Sequence, residues 1–213
     1  MGTINQGILG GFSGKVGTVI GGSWKGINYM RGKAASISNP QTEAQLDQRA
    51  RFGAALKFLQ PLTAFLRVGF KNYAVRMTAF NSAMSYNLNN ALTGTYPDYS
   101  IDYASALVSR GSLPGALNPE VSSTAASVID FTWDDNSTDS NAMGDDKVLL
   151  VVYNPPKQHA ITVVGGNTRA EGSQSITLPA SFAGDEVHCF IAFQNASQSV
   201  LSNSQHVGGL IIT

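Results

Sequence analysis

The sequence has little of what most metal and disulfide sites require. Among its 213 residues there is one cysteine, Cys189, and three histidines that lie far apart in the chain. An internal disulfide is therefore excluded, and the paired Cys or His ligands of a zinc site are missing. No apolar run reaches the length of a transmembrane helix, and the N-terminus lacks the basic and apolar regions of a secretory signal. We expect cytoplasmic synthesis and no membrane partner.

Catalytic signatures are also missing. In the glycine-rich stretch GGFSGKVGT, residues 10–18, a phosphate-binding loop would need glycine where Leu9 stands and Ser or Thr where Val16 stands. No G-x-S-x-G elbow occurs, and nothing selects a pair of carboxylates for glycoside cleavage. Cys189 alternates with apolar neighbours, which is typical of a buried hydrophobe. The sequence predicts no enzyme and no cofactor.

Acidic residues cluster in one segment, WDDNSTDSNAMGDD, between two predicted strands. Carboxylates at this density are the ligands that Ca²⁺ prefers, but the spacing of a calcium-binding loop is absent. A solvated acidic loop and a Ca²⁺ site both stay open, and we predict no metal. The cluster consists of Asp134, Asp135, Asp139, Asp145 and Asp146.

The formal charge is zero overall, yet the two halves differ. Residues 1–100 carry ten basic and three acidic side chains, a net charge of +7, whereas residues 101–213 carry four basic and eleven acidic ones, a net charge of −7. Opposite charges suit packing between the halves or between copies, and a basic half also suits a polyanion such as nucleic acid. The candidate polyanion contacts are Lys33, Arg49, Arg51 and Lys57.

Residues 1–38 are predicted to form a glycine-rich arm and a β-hairpin. Two β-prone runs, 16–20 and 27–30, flank the turn residues Gly21-Gly22-Ser23. Large apolar side chains near this turn need a surface that covers them. We therefore predict an interface with other protein subunits, formed by Trp24, Tyr29, Ile20 and Arg31.

Residues 39–100 are predicted to form a short helical subdomain. Thr42 and Gln45 have the spacing of a capping box, and helices are expected over 44–60, 61–69 and 72–92. The last helix places an apolar stripe on one face, typical of core packing. A loop is expected at 94–100. The stripe consists of Tyr73, Met77, Phe80, Met84 and Leu88.

Residues 101–213 change to a period of two with turn signals between short runs, which is typical of an all-β immunoglobulin-like sandwich. Val187, Cys189, Ile191 and Phe193 are predicted to face one way. The fold class is therefore α+β. The predicted strands are 104–110, 128–133, 147–153, 160–164, 175–178, 186–194 and 208–213.

Three segments of the chain together carry a resemblance: GKVGTVIGGSWKGINYMRG, SNPQTEAQLDQRARFGAALKFL, and the β-rich FTWDDNS, DDKVLLVVYNP and GDEVHCFIAF. This order resembles an uncharacterised family of unknown function from Bacteroidota and their phages. The pattern N-P-x-T-x-x-Q-x-x-x-R-x-x-F, from Asn39 to Phe52, is similar to short motifs in phage structural proteins. The C-terminal part resembles immunoglobulin-like or fibronectin-like modules, which bind or space other molecules. The resemblance implies no activity and no functional residue.

We therefore expect a non-enzymatic structural protein, a phage or prophage virion component anchored by its arm and helices and displaying its β-sandwich. The first alternative is a cytoplasmic nucleic-acid-binding adaptor that uses the basic half. A further alternative is a carbohydrate-binding module with Trp133 or Tyr153 as its platform.

Overall fold

The computed structural model describes residues 2–4, 7, 10–24, 26–36, 39 and 41–212. The chain separates into two compact units, residues 1–45 and residues 46–213. Parts of the predicted arm and connector, including Pro40, lie outside the described residues, as do Lys25 and Thr213.

The first unit is a four-stranded antiparallel sheet. Its strands are arranged in chain order, so each strand pairs with its sequence neighbour. The strands are β1 (Thr3–Ile4), β2 (Phe12–Val16), β3 (Val19–Trp24) and β4 (Ile27–Gly32).

The hairpin differs from the predicted one in where the chain reverses. Gly21, Gly22 and Ser23 lie within β3, opposite residues 28–30 of β4, and the reversal follows Trp24. The two glycines serve close packing instead of a turn, because a Cβ on Gly21 would lie 2.6 Å from the Phe12 ring. The predicted run 16–20 is itself split by a two-residue turn between β2 and β3.

The helices of the middle region are α1 (Glu43–Leu59), α2 (Thr63–Gly69) and α3 (Ala79–Asn90), with short 3₁₀ turns at Gln60–Leu62 and Lys71–Tyr73. The first two agree with the predicted helices. The third begins at Ala79 and not at residue 72, because the Thr78 hydroxyl accepts a hydrogen bond from the Asn81 N–H at 3.1 Å and caps the helix there. Tyr73 and Met77 of the predicted stripe therefore lie before the helix.

The strands of the second unit begin with a hairpin of β5 (Leu92–Thr95) and β6 (Asp98–Ile101), where a loop was expected. A further strand, β7 (Leu117–Ala125), was not predicted. The predicted strand 104–110 is irregular, and its apolar residues Ala106 and Val108 are buried among the helices. The strands are β5 (Leu92–Thr95), β6 (Asp98–Ile101), β7 (Leu117–Ala125), β8 (Val128–Asp134), β9 (Lys147–Asn154), β10 (His159–Thr168), β11 (Ser173–Thr177), β12 (Glu186–Gln194) and β13 (Gln205–Ile211).

Two antiparallel sheets, with strand orders β10-β9-β12-β13 and β11-β8-β7, share one hydrophobic core. Phe131 of β8 packs there with Val152 of β9 and Cys189 of β12, all fully buried. The alternation predicted for β12 is confirmed, since Val187, Cys189, Ile191 and Phe193 all join this core. Burial raises the pKa of the Cys189 thiol to about 12, so this cysteine is an inert hydrophobe.

In the second unit, the helices cover the other face of the four-stranded sheet β10-β9-β12-β13. Val151 of β9 and Phe190 of β12 belong to the same buried core as Phe58, Leu62 and the rest of the helical layer. Both faces of β9 are therefore buried, which explains its unbroken apolar sequence. The fold is α+β, as predicted. The helices predicted as a subdomain of their own fall in the same compact unit as the sandwich.

Candidate protein-interaction surface

One face of the N-terminal sheet collects all four predicted interface residues. Trp24 pairs with Ile27, and Ile20 pairs with Arg31, while Tyr29 lies between them on β4. Residues directly opposite each other in a sheet share a face, and so do residues two apart on a strand. Trp24, Tyr29, Ile20 and Arg31 therefore project from one surface, which also includes Ile27. We call these five residues the hairpin face.

The apolar side chains of the hairpin face are open to solvent. Trp24 is 54% exposed, Ile27 64% and Tyr29 50%. Met30 and Val16 on the opposite face are exposed as well. A small sheet gains stability only when one of its faces packs against something, and contiguous exposed apolar surface marks an interaction site.

The edge of this sheet and its charge add two further properties. β4 is the last strand in the sheet order, so its outer edge presents N–H and C=O groups that another strand could join. Residues 1–42 carry four basic side chains and no acidic one, and Arg31 lies on the hairpin face itself. The surface is thus apolar, aromatic and positively charged.

The predicted polyanion contacts are divided between the two units. Lys33 follows β4 in the first unit, whereas Arg49, Arg51 and Lys57 lie on α1. Arg49 and Arg51 are two residues apart on the helix and point to different sides. The Arg51 guanidinium lies 6.0 Å from the centre of the Tyr99 ring, and Lys57 lines a separate cavity.

The acidic segment is organised around a buried arginine that the sequence analysis missed. Arg169 and Asp146 are both fully buried and form an ion pair with 3.1 Å between Nε and Oδ2. Arg169 also donates to the Asn136 side chain at 2.6 Å and to the carbonyls of Pro114 and Gly115 at 3.0 and 2.9 Å. The carbonyl partners could not be found from the sequence, because every residue carries such an acceptor.

Burial lowers the pKa of Arg169, while the charge of Asp146 acts in the opposite direction. The guanidinium stays protonated, since arginine is not deprotonated in proteins. It also stacks 3.9 Å from the centre of the Phe193 ring. The sequence signals the importance of Arg169 only indirectly: residues 101–213 contain just four basic residues for eleven acidic ones.

The predicted carbohydrate platform is wrong, because neither aromatic ring is displayed. Trp133 is buried, and its indole N–H donates to the Arg169 carbonyl at 2.8 Å. Tyr153 is buried against Phe58, with 5.1 Å between ring centres. A stacking platform requires an exposed ring face.

Two histidines that are distant in sequence meet on β12 and β13. Nδ1 of His188 lies 3.3 Å from Nε2 of His206, and the Tyr103 ring stacks on His188 with 3.7 Å between ring centres. Burial lowers the pKa of both imidazoles, and the charge of His206 lowers that of His188 further. Glu186 and Asp102 act in the opposite direction on His188 and His206 respectively.

This pair predicts that stability falls as the pH drops from 7 towards 5. The unfolded chain takes up protons as the pH passes the ordinary histidine pKa of about 6.5, whereas the folded state keeps both rings neutral until a lower pH. A melting-temperature series over this range should show a shallower slope for His206→Gln. The exposed His159 provides the control, and His159→Gln should keep the wild-type slope. Parallel curves for all three proteins would contradict the assignment.

Within the described ranges, no three His, Cys, Asp or Glu side chains are grouped so that they could hold a metal ion. None of the helices in the described part of the chain has both the length and the apolar character needed to span a bilayer.

The fold and the hairpin face define an α+β protein of two units, one a small sheet with exposed apolar side chains and the other a larger unit of helices and three sheets. A family model described as a family of unknown function (DUF6266) matches residues 11–208, and the chain belongs to this family. Membership of an uncharacterised family is thus confirmed. A comparison with curated proteins found no match.

Proposed function

We propose that this chain is a non-enzymatic assembly protein. Residues 1–45 attach it to other protein subunits through the hairpin face and the open edge of β4, and residues 46–213 form the body that the assembly displays. The observation behind this proposal is the shared exposure of Trp24, Ile27 and Tyr29 on one side of a four-stranded sheet.

The energetics favour a protein partner. Fully burying one such side chain stabilises a complex by about 1.5–3 kcal/mol, and aromatic residues with an arginine are the types enriched at the centres of interfaces. Strand addition to β4 would supply backbone hydrogen bonds as well as apolar contact. The surplus of basic residues in this unit suits a partner surface with acidic residues, such as another copy's C-terminal half.

For the displayed body we propose a fibronectin-like module. Seven strands, β7 to β13, form two sheets, one of three strands and one of four. The fourth strand, β10, pairs with β9 in the four-stranded sheet, whereas β11 pairs with β8 in the other sheet. A constant-type immunoglobulin domain instead places its fourth strand in the sheet of its first two, and its core tryptophan on the third strand. Here the core tryptophan, Trp133, lies on β8, the second strand of the module.

Replacing Ile27 with aspartate should weaken assembly by about 10- to 100-fold, because a buried isoleucine contributes roughly 1.5–3 kcal/mol and a carboxylate there would have to be desolvated. The measurement is the molar mass by size-exclusion chromatography with light scattering over a concentration series of the full-length protein. The expected wild-type result is an oligomer that dissociates on dilution.

Ile211→Asp is the matched control, since Ile211 is also a strand isoleucine and is 66% exposed against 64% for Ile27. It should leave the mass distribution unchanged. A wild-type protein that is monomeric at every concentration, alone and with its neighbouring gene products, would overturn the proposal, as would equal effects of the two variants.

We propose a phage or prophage virion as the assembly, on the strength of the motif from Asn39 to Phe52. Detection of the chain in purified particles is the corresponding measurement. The alternative function, a nucleic-acid-binding adaptor, draws on the exposed basic residues Arg31, Lys33, Arg49 and Lys57. It is the weaker proposal, because these side chains are divided between two units and the neighbouring Arg49 and Arg51 point to different sides of α1.

A further inference from the structure

A cavity of about 580 Å³ lies between α1, β6 and the end of β9 in the second unit. Its volume falls in the range of small-molecule sites, about 300–1,000 Å³. Aromatic residues from three separate parts of the chain, Phe58, Tyr103 and Tyr153, line it together with polar side chains. The cavity is distinct from the hairpin face, and its capacity to bind a ligand does not depend on the proposed assembly role.

Two tyrosine hydroxyls in this lining have unused hydrogen-bonding capacity. Tyr153 is only 3% exposed, and its hydroxyl makes no hydrogen bond with any group in the described part of the chain. The same holds for the hydroxyl of Tyr103, whose ring is fixed by stacking on His188. Neither hydroxyl oxygen is among the buried, unpartnered side-chain atoms of the described residues, so both oxygens reach the solvent in the cavity. A ligand that displaced this water would have to replace its hydrogen bonds, because leaving a buried hydroxyl unsatisfied costs roughly 1–3 kcal/mol.

The protonation of these hydroxyls is secure. Burial raises the pKa of Tyr153 to about 12 and also raises the pKa of Tyr103. Each hydroxyl can therefore donate one hydrogen bond and accept others at neutral pH. A ligand that matches them must offer both donors and acceptors, which is the property of an alcohol hydroxyl.

The remaining polar groups indicate a ligand without net charge. Lys57 and Asp98 both line the cavity, so a cation and an anion offset each other there, and Gln158 adds an amide that donates and accepts. A phosphate or sulfate would meet one lysine and one opposing carboxylate. A purely apolar ligand would leave the tyrosine hydroxyls unsatisfied.

We propose that this cavity binds a neutral saccharide, with the hydroxyls of Tyr103 and Tyr153 as its hydrogen-bonding partners. The aromatic rings of the lining provide apolar surface for the C–H groups of the sugar. In this arrangement Tyr153 acts through its hydroxyl at the cavity and not as an exposed stacking platform.

The test is a titration of full-length, ¹⁵N-labelled protein with neutral mono- and disaccharides, namely glucose, galactose, mannose, N-acetylglucosamine and their β-linked dimers, followed by NMR. At least one sugar should shift the amide signals of the cavity-lining residues. Tyr153→Phe, which removes only the hydroxyl, should weaken that binding about five- to tenfold, the effect expected of one hydrogen bond. Tyr103→Phe should act in the same direction.

Tyr96→Phe is the matched control, because Tyr96 is exposed and is not among the cavity-lining residues, and it should bind as the wild type does. Unchanged melting temperatures would show that the variants remain folded. The proposal is overturned if no sugar shifts the cavity signals, if Tyr153→Phe binds equally well, or if inorganic phosphate or a proline-rich peptide occupies the cavity and the sugars do not. None of these outcomes bears on oligomeric mass, so the two proposals can fail separately.

Discussion

Replacing Arg169 with methionine should lower the free energy of unfolding by about 3–5 kcal/mol, the cost of breaking a buried ion pair by removing one partner. Methionine fills much of the same volume, so the loss reports mainly what the guanidinium contributes, including its stacking on Phe193. The carboxylate of Asp146 would remain fully buried, the Asn136 Oδ1 and the Pro114 carbonyl would lose the hydrogen bond from Arg169, and the Gly115 carbonyl would keep only the one from Asn136. At about 2–4 °C per kcal/mol for a unit of this size, the melting temperature should fall by roughly 10 °C.

Lys157→Met is the matched control for this prediction. Lys157 also pairs with a carboxylate, that of Asp185, but its side chain is 38% exposed, and such surface pairs contribute about 0–1 kcal/mol. The double variant Arg169→Met with Asp146→Asn should lose less stability than Arg169→Met alone, because it removes the stranded charge and keeps an acceptor for the Met143 N–H. Equal losses for Arg169→Met and Lys157→Met in urea unfolding would contradict the structure.

The arginine also shows where prediction from sequence stops. The acidic segment was visible as a run of carboxylates, but its organising cation lies 23 residues beyond Asp146 and donates mainly to backbone and amide oxygens. Backbone acceptors have no sequence signature. By contrast, the strands from β8 to β12 were predictable, because each contains a short run rich in β-branched and aromatic residues that is bounded by turn residues.

The N-terminal sheet shows a second limit of prediction from sequence, the position at which the chain reverses. Gly21 and Gly22 have the composition of a turn, yet they lie in β3, because the Phe12 side chain packs directly against Gly21 and that of Tyr29 against Gly22. That requirement comes from other strands and is not local. Size and apolarity alone mark Trp24 and Tyr29 in the sequence as side chains that need covering, and both are exposed in the structure.

Phe58→Ala should cost about 3–5 kcal/mol and should destabilise helices and sheets together. Phe58 is buried on α1, and its ring contacts Tyr103, Tyr153 and Phe190, with ring centres 5.7, 5.1 and 6.2 Å away. The cavity left by alanine would therefore open the layer between α1 and the four-stranded sheet. Phe52→Ala on the same helix is the control, since Phe52 is 50% exposed, and it should cost about 1 kcal/mol or less.

The measurement that decides is urea unfolding followed by two probes, far-UV circular dichroism for the helices and the fluorescence of Trp133 in a Trp24→Phe background. If residues 46–213 unfold as one cooperative unit, Phe58→Ala will shift both transitions by the same amount. If the helices form a subdomain of their own, as the sequence predicts, the dichroism will shift while the Trp133 transition stays in place. The shared core of Phe58 with β9 and β12 favours the first result, because a single buried layer cannot be exposed on one side and remain packed on the other.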